Sequence, residues 1–340
     1  MKITMKRWVE DIIASSDRKA FPFMAGTGAS LAGVRFADAL RDAAKQAACV
    51  GALAARYESA ACITFMDLSV EAEAFGGEAR WMGDETPTIT GRIVTDAASA
   101  HALAVPAVGA GRTGVYLEAA RLAAEGADRP VFGCHIGPFS LAGRLAGMTE
   151  ALLGVHADPA MLHAVLRKCA VFLGEYARAF KATGVNGIVI AEPAAGLMSP
   201  AQCAEFSSRY VKEIVESVQD DAFMIILHNC GATPRHVDTM ASTGAMGLHF
   251  GNIVDMADVC ARVPPRVIAC GNLDPARVLK DGSADEVRGK TLELLHRTAA
   301  FKNFLLSSGC DIPAAAPVEN IDMMFSMLNA YNEKEAARVR

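Results

Sequence analysis

The chain has 340 residues, 52% of them hydrophobic and 6% aromatic, with 33 basic and 38 acidic side chains for a formal charge of −5. That apolar content can bury a large core, whereas a net acidic chain with no Lys/Arg run and few aromatics excludes a nucleic-acid surface and an anionic-membrane partner. The opening MKITMKRWVEDIIASS has charges where a secretory leader needs an apolar run, and no uninterrupted stretch reaches the ~18 apolar residues of a membrane helix, so the sequence reads as cytoplasmic with reduced thiols.

Short apolar runs alternate with long amphipathic stretches, as in a parallel sheet crossed by helices. After an N-terminal helical extension at 1–19, the spacing predicts eight strands at 21–24, 61–66, 131–135, 187–191, 222–227, 246–250, 266–270 and 303–306. Several read as continuous apolar runs such as MIIL, expected of strands buried on both faces. An Ala-rich helix is predicted at 33–57. The next, at 161–182, follows Asp158 as N-cap and Pro159 at the first helical position. Ser199-Pro200 and Asp274-Pro275 open two more, and helices are expected at 283–301 and 317–331. The segment 69–130 exceeds one crossover and reads as an insertion after strand two, with a turn at Gly76-Gly77, a hairpin around 81–89 and a helix near 116–125. Eight strands with seven crossovers favour a (β/α)8 TIM barrel, one domain over 1–340, rather than an open dinucleotide-binding sheet. Gly26-Thr27-Gly28 after the first strand lacks the third glycine such a sheet uses.

Reactive groups of a barrel sit at the C-terminal ends of its strands. Those ends carry Asp67, His135, Glu192, His228, Cys230, His249, Asn272 and Cys310. In an extended strand end, residues two apart point the same way, so His228 and Cys230 of HNCG can approach one ion together. Taken alone, His-x-Cys reads more readily as a hydrogen-bonded mouth histidine beside a packing thiol. With Cys310 at another strand end, the donor set becomes one imidazole and two thiolates, which suits Zn2+ and leaves a fourth position open. The remaining cysteines read as small core fillers. Asp67 and Glu192 are candidate catalytic carboxylates. Asp67 could orient substrate or accept a proton, or merely cap the insertion. Glu192 could be an exchangeable fourth ligand, an acceptor for the His228 N–H, or a turn cap before Pro193. His135, Ser199, His249 and Asn272 are candidate cofactor-binding positions lining the mouth.

The segments FMDLSVEAEAFGG (65–77), GPFSLAGRL (137–145), EPAAGLMSP (192–200), LHNCG (227–231), GNLDP (271–275) and LSSGCDIPAAAPVENI (306–321) resemble the uroporphyrinogen decarboxylase superfamily, most closely its corrinoid methyltransferase branch. The resemblance implies a (β/α)8 barrel and zinc on His228, Cys230 and Cys310. It also implies methyl transfer from a methylated corrinoid, carried by a partner corrinoid protein, to a thiol such as coenzyme M, with tetrahydrofolate as the alternative acceptor. In the decarboxylases an arginine-bearing segment follows strand one and binds substrate carboxylates. Here that stretch reads MAGTGASLAG (24–33), without arginine, and Cys310 stands where they have histidine. Asp67 and Ser199 do match decarboxylase positions, but porphyrinogen decarboxylation ranks below methyl transfer. The chain is also compatible with a homodimer.

Overall fold

The structure, a computed structural model, describes residues 4–231 and 234–339. Nine strands are present among them: β1 (Cys62–Ile63), β2 (Glu78–Arg80), β3 (Thr88–Thr90), β4 (Val131–Ile136), β5 (Gly187–Ala191), β6 (Met224–Asn229), β7 (Gly247–Phe250), β8 (Ile268–Leu273) and β9 (Phe304–Ser308). Seven of these pair in parallel in the order β1-β4-β5-β6-β7-β8-β9, while β2 and β3 form a separate antiparallel hairpin. Sequential parallel order requires a crossover between each pair of neighbours, and helices such as Pro159–Ala182 and Ala284–Arg297 supply them. The sheet is therefore buried on both sides, and β4, β5, β6 and β9 have no residue outside the buried class.

The expected first strand at 21–24 does not form a ladder. Its neighbourhood nevertheless touches both edges of the sheet. Ala60 N donates to Ala20 O at 2.7 Å, and Phe21 N donates to Leu306 O at 2.8 Å. Pro22 has no N–H and cannot extend that pairing, which leaves one isolated bridge, Ala20 to Leu306. The expected strand 61–66 shortens to two paired residues, whereas β6, β8 and β9 each run two or three residues further toward their C-terminal ends than the pattern predicts.

Side chains of β4 show which face is which. Phe132 packs on Phe21 (ring centroids 5.3 Å apart) and on Trp8 (5.9 Å), inside the curl of the sheet. A Cβ on neighbouring Gly133 would instead meet the Phe180 ring of the helix layer. The N-terminal helix Met5–Ala14 seals the N-terminal end of the sheet with Met5, Trp8, Val9 and Ile12, and the Trp8 indole donates to Ala60 O at 3.1 Å.

Helix boundaries follow their caps. Asp158 accepts from Met161 N at the start of Pro159–Ala182, Ser283 caps Ala284–Arg297, and Ser199 forms a capping box with Gln202. The single helix expected at 33–57 is broken. Gly33, at φ 67°, ends a short turn, and a new helix, Ala43–Arg56, starts at the Asp42 cap. The helix expected from Asp274-Pro275 does not propagate. Asp274 does take the Ala276 and Arg277 amides, but Asn320 of the closing helix Val318–Val339 binds the Leu279 and Gly282 carbonyls. No helix among the described residues is long and apolar enough to cross a membrane.

Gly187 tests the inner packing. A Cβ there would press on the Met224 carbonyl and lie 2.6 Å from the Phe132 ring. Gly187→Ala is expected to lower unfolding free energy by about 1–3 kcal/mol, read as a fall in urea midpoint at unchanged m-value. An unchanged midpoint would show that the inner layer is loosely packed.

Candidate metal centre

β6 presents His228 to the inside of the curl, and Cys230 follows one residue past its end. Cys310 lies two residues past the end of β9. One ligand atom from each of the three lies within 4.8 Å of the other two, with His228 buried and both cysteines partly exposed. Cys310 Sγ is 3.6 Å from His228 Nε2. The approach depends on two glycines. A side chain on Gly251 would collide with the Cys230 backbone, and one on Gly309 would sit 2.5 Å from Asn252 N. Asn272 steadies the same loop by donating its amide to the Gly251 and Val254 carbonyls (2.9 and 2.8 Å).

Electrostatically the thiols are a pair. Cys230 is held well below the ordinary cysteine range, first because Cys310 donates to its sulfur and then because His228 does. Cys310 is pushed up, since its proton is held by the Cys230 thiolate and burial disfavours a second charge. One thiolate therefore forms easily at this point, and a divalent cation would favour the loss of the second proton. An imidazole and two partly exposed sulfurs are the soft donors zinc prefers.

Behind His228 the structure places His249. Their Nδ1 atoms are 2.8 Å apart, and His249 Nε2 lies 2.9 Å from Ser307 Oγ. The Ser307 hydroxyl donates to Phe21 O at 2.7 Å. Phe23 stacks on the His249 ring at 4.0 Å and meets His228 edge-on at 5.5 Å. His249 is fully buried beneath His228 rather than lining the mouth, and burial lowers its pKa well below the usual histidine value.

The other candidates are placed elsewhere. Glu192 faces the helix layer, where it accepts from Phe139 N (2.9 Å), Ser140 N (2.7 Å) and Ser140 Oγ (2.5 Å) at the start of the helix Pro138–Ala146. It thus caps a helix, and the Nδ1 partner of His228 is His249, not Glu192. Burial, opposed by those bonds, pushes Glu192 up to about 7. His135 also turns outward, 6.1 Å from the Tyr176 ring, with its pKa lowered to about 4 by burial. Ser199 is an exposed cap. Asp67 has both oxygens engaged: Oδ1 accepts from Ser69 N and Oγ, and Oδ2 pairs with Arg112 at 2.6 Å and accepts from the Tyr116 hydroxyl at 3.2 Å. Arg112, whose Nε also binds Glu73 at 2.6 Å, was not found from the sequence, because an arginine in a long irregular segment carries no spacing signal. Ser307 was missed as well, being hidden in an apolar run. A surface cavity of about 490 Å³ lies beside the loops after β7 and β8, walled by Asn252, Asn272, Asp274 and Arg297; none of the three donors lines it.

The curled parallel α/β sheet carries these candidate metal donors at or just past the C-terminal ends of its strands, where enzymes of α/β barrel architecture place their sites. The uroporphyrinogen decarboxylase (URO-D) family model matches residues 5–331, and the chain belongs to that family. Among its relatives, the methylcobamide:CoM methyltransferase MtbA of Methanosarcina acetivorans is 29% identical over 272 residues, 78% of each chain. A uroporphyrinogen decarboxylase of Legionella pneumophila is 26% identical over 285 residues, 81% of this chain and 79% of its own. A solved methyltransferase from Methanosarcina mazei shares the fold at TM-score 0.85 and 23% identity, covering 97% of this chain and 99% of the other.

Two predictions test the electrostatics. Cys230 and Cys310 are the two partly exposed cysteines of nine, so a disulfide reagent should titrate Cys230 rapidly and Cys310 after it, ahead of the seven buried thiols, in the metal-free protein. Cys310→Ala removes the donor that favours the Cys230 thiolate and should slow alkylation of Cys230 at pH 6 by about tenfold or more; an unchanged rate would mean the sulfurs do not communicate. The second concerns Glu71, which is 1% exposed, accepts from Ile136 N at 3.3 Å and is raised by burial from 4.5 to about 8. The folded state therefore binds the Glu71 proton more tightly than the unfolded chain, so this group's contribution to stability falls as pH rises between those two values. Glu71→Gln should flatten that fall and stabilise the protein at pH 8.5 relative to pH 5.5 in urea titrations. An equal change at both pH values would remove the assignment.

Proposed function

We propose that this protein is a zinc-dependent methyltransferase that moves a methyl group from a methylated corrinoid on a partner corrinoid protein to a small thiol such as coenzyme M. The sheet, with 20–23 counted as the eighth stave, is read as one (β/α)8 barrel carrying the site at its mouth. The observation that carries the proposal is the convergence of His228, Cys230 and Cys310 on one point that solvent still reaches. Tetrahedral zinc bonds of ~2.0–2.3 Å place donors roughly 3.3–3.8 Å apart, so the trio needs to contract by only about 1 Å from its present spread. His228, Cys230 and Cys310 would hold the ion. When bound, it supplies the positive charge that keeps an acceptor thiol deprotonated at neutral pH.

In the proposed reaction the acceptor sulfur attacks the methyl carbon and forms the C–S bond. The C–Co bond breaks, and its electron pair stays on the cobalt of the donor. Sulfur, carbon and cobalt must lie in line, so the corrinoid must face the barrel mouth. The chain's own part is to fix the donor triad through the Gly251 and Gly309 approaches and to keep Phe23 and His249 packed beneath it. Transfer to tetrahydrofolate needs no thiol activation, and the assembled thiol pair weighs against it. Porphyrinogen decarboxylation lacks its cationic clamp, since residues 24–33 contain no arginine.

Protein expressed with ample zinc is expected to carry about one equivalent and to methylate coenzyme M from methylcobalamin. Cys310→Ala should lose both properties. Less than a tenth of an equivalent of zinc, or full methylation by Cys310→Ala, overturns the proposal. Turnover of uroporphyrinogen would favour the decarboxylase instead.

A further inference from the structure

We infer that Asn272 is a positioning residue that sets the separation of the Cys230 and Cys310 sulfurs through the loop 251–254. The inference rests on the reading of those two cysteines as metal ligands. The loop after β7 lies between the two cysteine-bearing chain ends. On one side, a Cβ on Gly251 would lie 2.3 Å from the Cys230 carbonyl oxygen and 2.7 Å from its Cα. On the other, a Cβ on Gly309 would lie 2.5 Å from Asn252 N and 3.0 Å from Asn252 Cβ. Main chain thus packs on main chain at both faces, and a shift at one is felt at the other. Gly251 and Asn252 act as a spacer: where they stand decides how far Cys230 is from Cys310.

Little packing holds that spacer in place. Of residues 251–254 only Gly251 and Val254 are buried; Ile253 is 64% exposed, and the cavity of about 490 Å³ opens beside Asn252, Ile253 and Val254. Hydrogen bonds hold the loop instead, and three from side chains tie it to the end of β8. Asn272 Nδ2 donates one proton to Gly251 O (2.9 Å) and the other to Val254 O (2.8 Å), so a single side chain closes the loop at both ends. Asn252 Nδ2 donates to Asp274 Oδ2 at 2.7 Å, and Asp274 is itself fixed by the Ala276 and Arg277 amides. The other cysteine is referred to the same strand end, because Gly309 N donates to Leu273 O at 2.6 Å. Residues 272–274 therefore align both cysteines on one strand. Two-proton donation is what asparagine brings here. An aspartate of the same shape would turn a carboxylate toward two carbonyls, and a leucine would donate nothing.

Phenylarsine oxide joins two thiols to one arsenic with loss of water, and does so quickly only where the sulfurs already lie close. In the metal-free protein it should bridge Cys230 and Cys310, read by mass spectrometry. Asn272→Leu should slow bridging about tenfold and weaken zinc binding by a similar factor, measured by competition with a chromophoric chelator. Gly187→Ala, destabilised at the opposite end of the sheet, should match the wild type in both. Bridging at the wild-type rate in Asn272→Leu, or equal slowing in Gly187→Ala, overturns the inference. Should Asn272→Leu not fold, Asn252→Ala, at an exposed position, removes the Asp274 tie and should slow bridging about threefold; no slowing would then overturn it. A wild-type protein that binds no zinc defeats the proposed function, while the bridging rates still decide the spacer by themselves.

Discussion

Everything at the candidate site depends on the curl of one parallel sheet. β6 and β9 are separated by β7 and β8 in the sheet order. In a flat sheet, strands three positions apart lie ~14 Å from each other. Yet Cys310, just beyond β9, brings its sulfur to 3.6 Å from the His228 ring on β6. Only a sheet bent nearly onto itself allows this. The bend is held where residues 20–23 take hydrogen bonds with both edges, Ala20 with the β1 side and Phe21 with β9. The cluster of His228, Cys230 and Cys310 is therefore a product of tertiary closure, and no local sequence motif could assemble it.

Closure also explains why a polar chain can run through an apolar interior. His228, His249 and Ser307 are buried to 1% exposure or less, but each has its partner, and the last proton ends on a carbonyl of the closing segment. The outward-facing polar groups show the contrast. His135 Nε2 and Glu71 Oε2 have no hydrogen-bond partner, and burial pushes both residues toward their neutral forms. Inside the curl, burial likewise lowers the pKa of His249, but both of its ring nitrogens have partners. Burial raises the carboxyls of Glu71, Glu192 and Asp311 to about 8, 7 and 8, so Glu71 shares the pH sensitivity of the fold with two others.

What could be read in the sequence follows from the same geometry. Most strands were legible because a parallel sheet covered on both faces needs unbroken apolar runs, and the matched spacing of His228 and Cys230 survives any shift in strand boundary. Facing was much harder to read. In an alternating strand the polar positions mark the outer face, but β4 and β5 are apolar on both, so nothing in the pattern indicates that His135 and Glu192 turn to the helices while His228 and His249 turn inward. Asp67 looked available because its partner Arg112 lies 45 residues away in the chain. The first strand was misjudged for a local reason, the missing N–H of Pro22, although the segment does the work of a strand at one bridge.

The cysteines show how far environment outweighs residue type. Cys49, Cys62 and Cys260 are pushed to about 11, 11 and 12 by burial, and Cys134, Cys169, Cys203 and Cys270 are raised for the same reason. These seven behave as small apolar groups. Cys230 alone moves the other way, because a second sulfur and an imidazole donate to it. Burial by itself raises a thiol, so a lowered one requires donors that overcome desolvation. Those donors, Cys310 and His228, are the same groups that gather with Cys230 as candidate metal ligands. The clustering that makes Cys230 reactive without metal is thus the same clustering that the proposed zinc site uses. A chain using these residues only for packing would have no reason to bring two sulfurs and a ring nitrogen within 4.8 Å at a point left partly open.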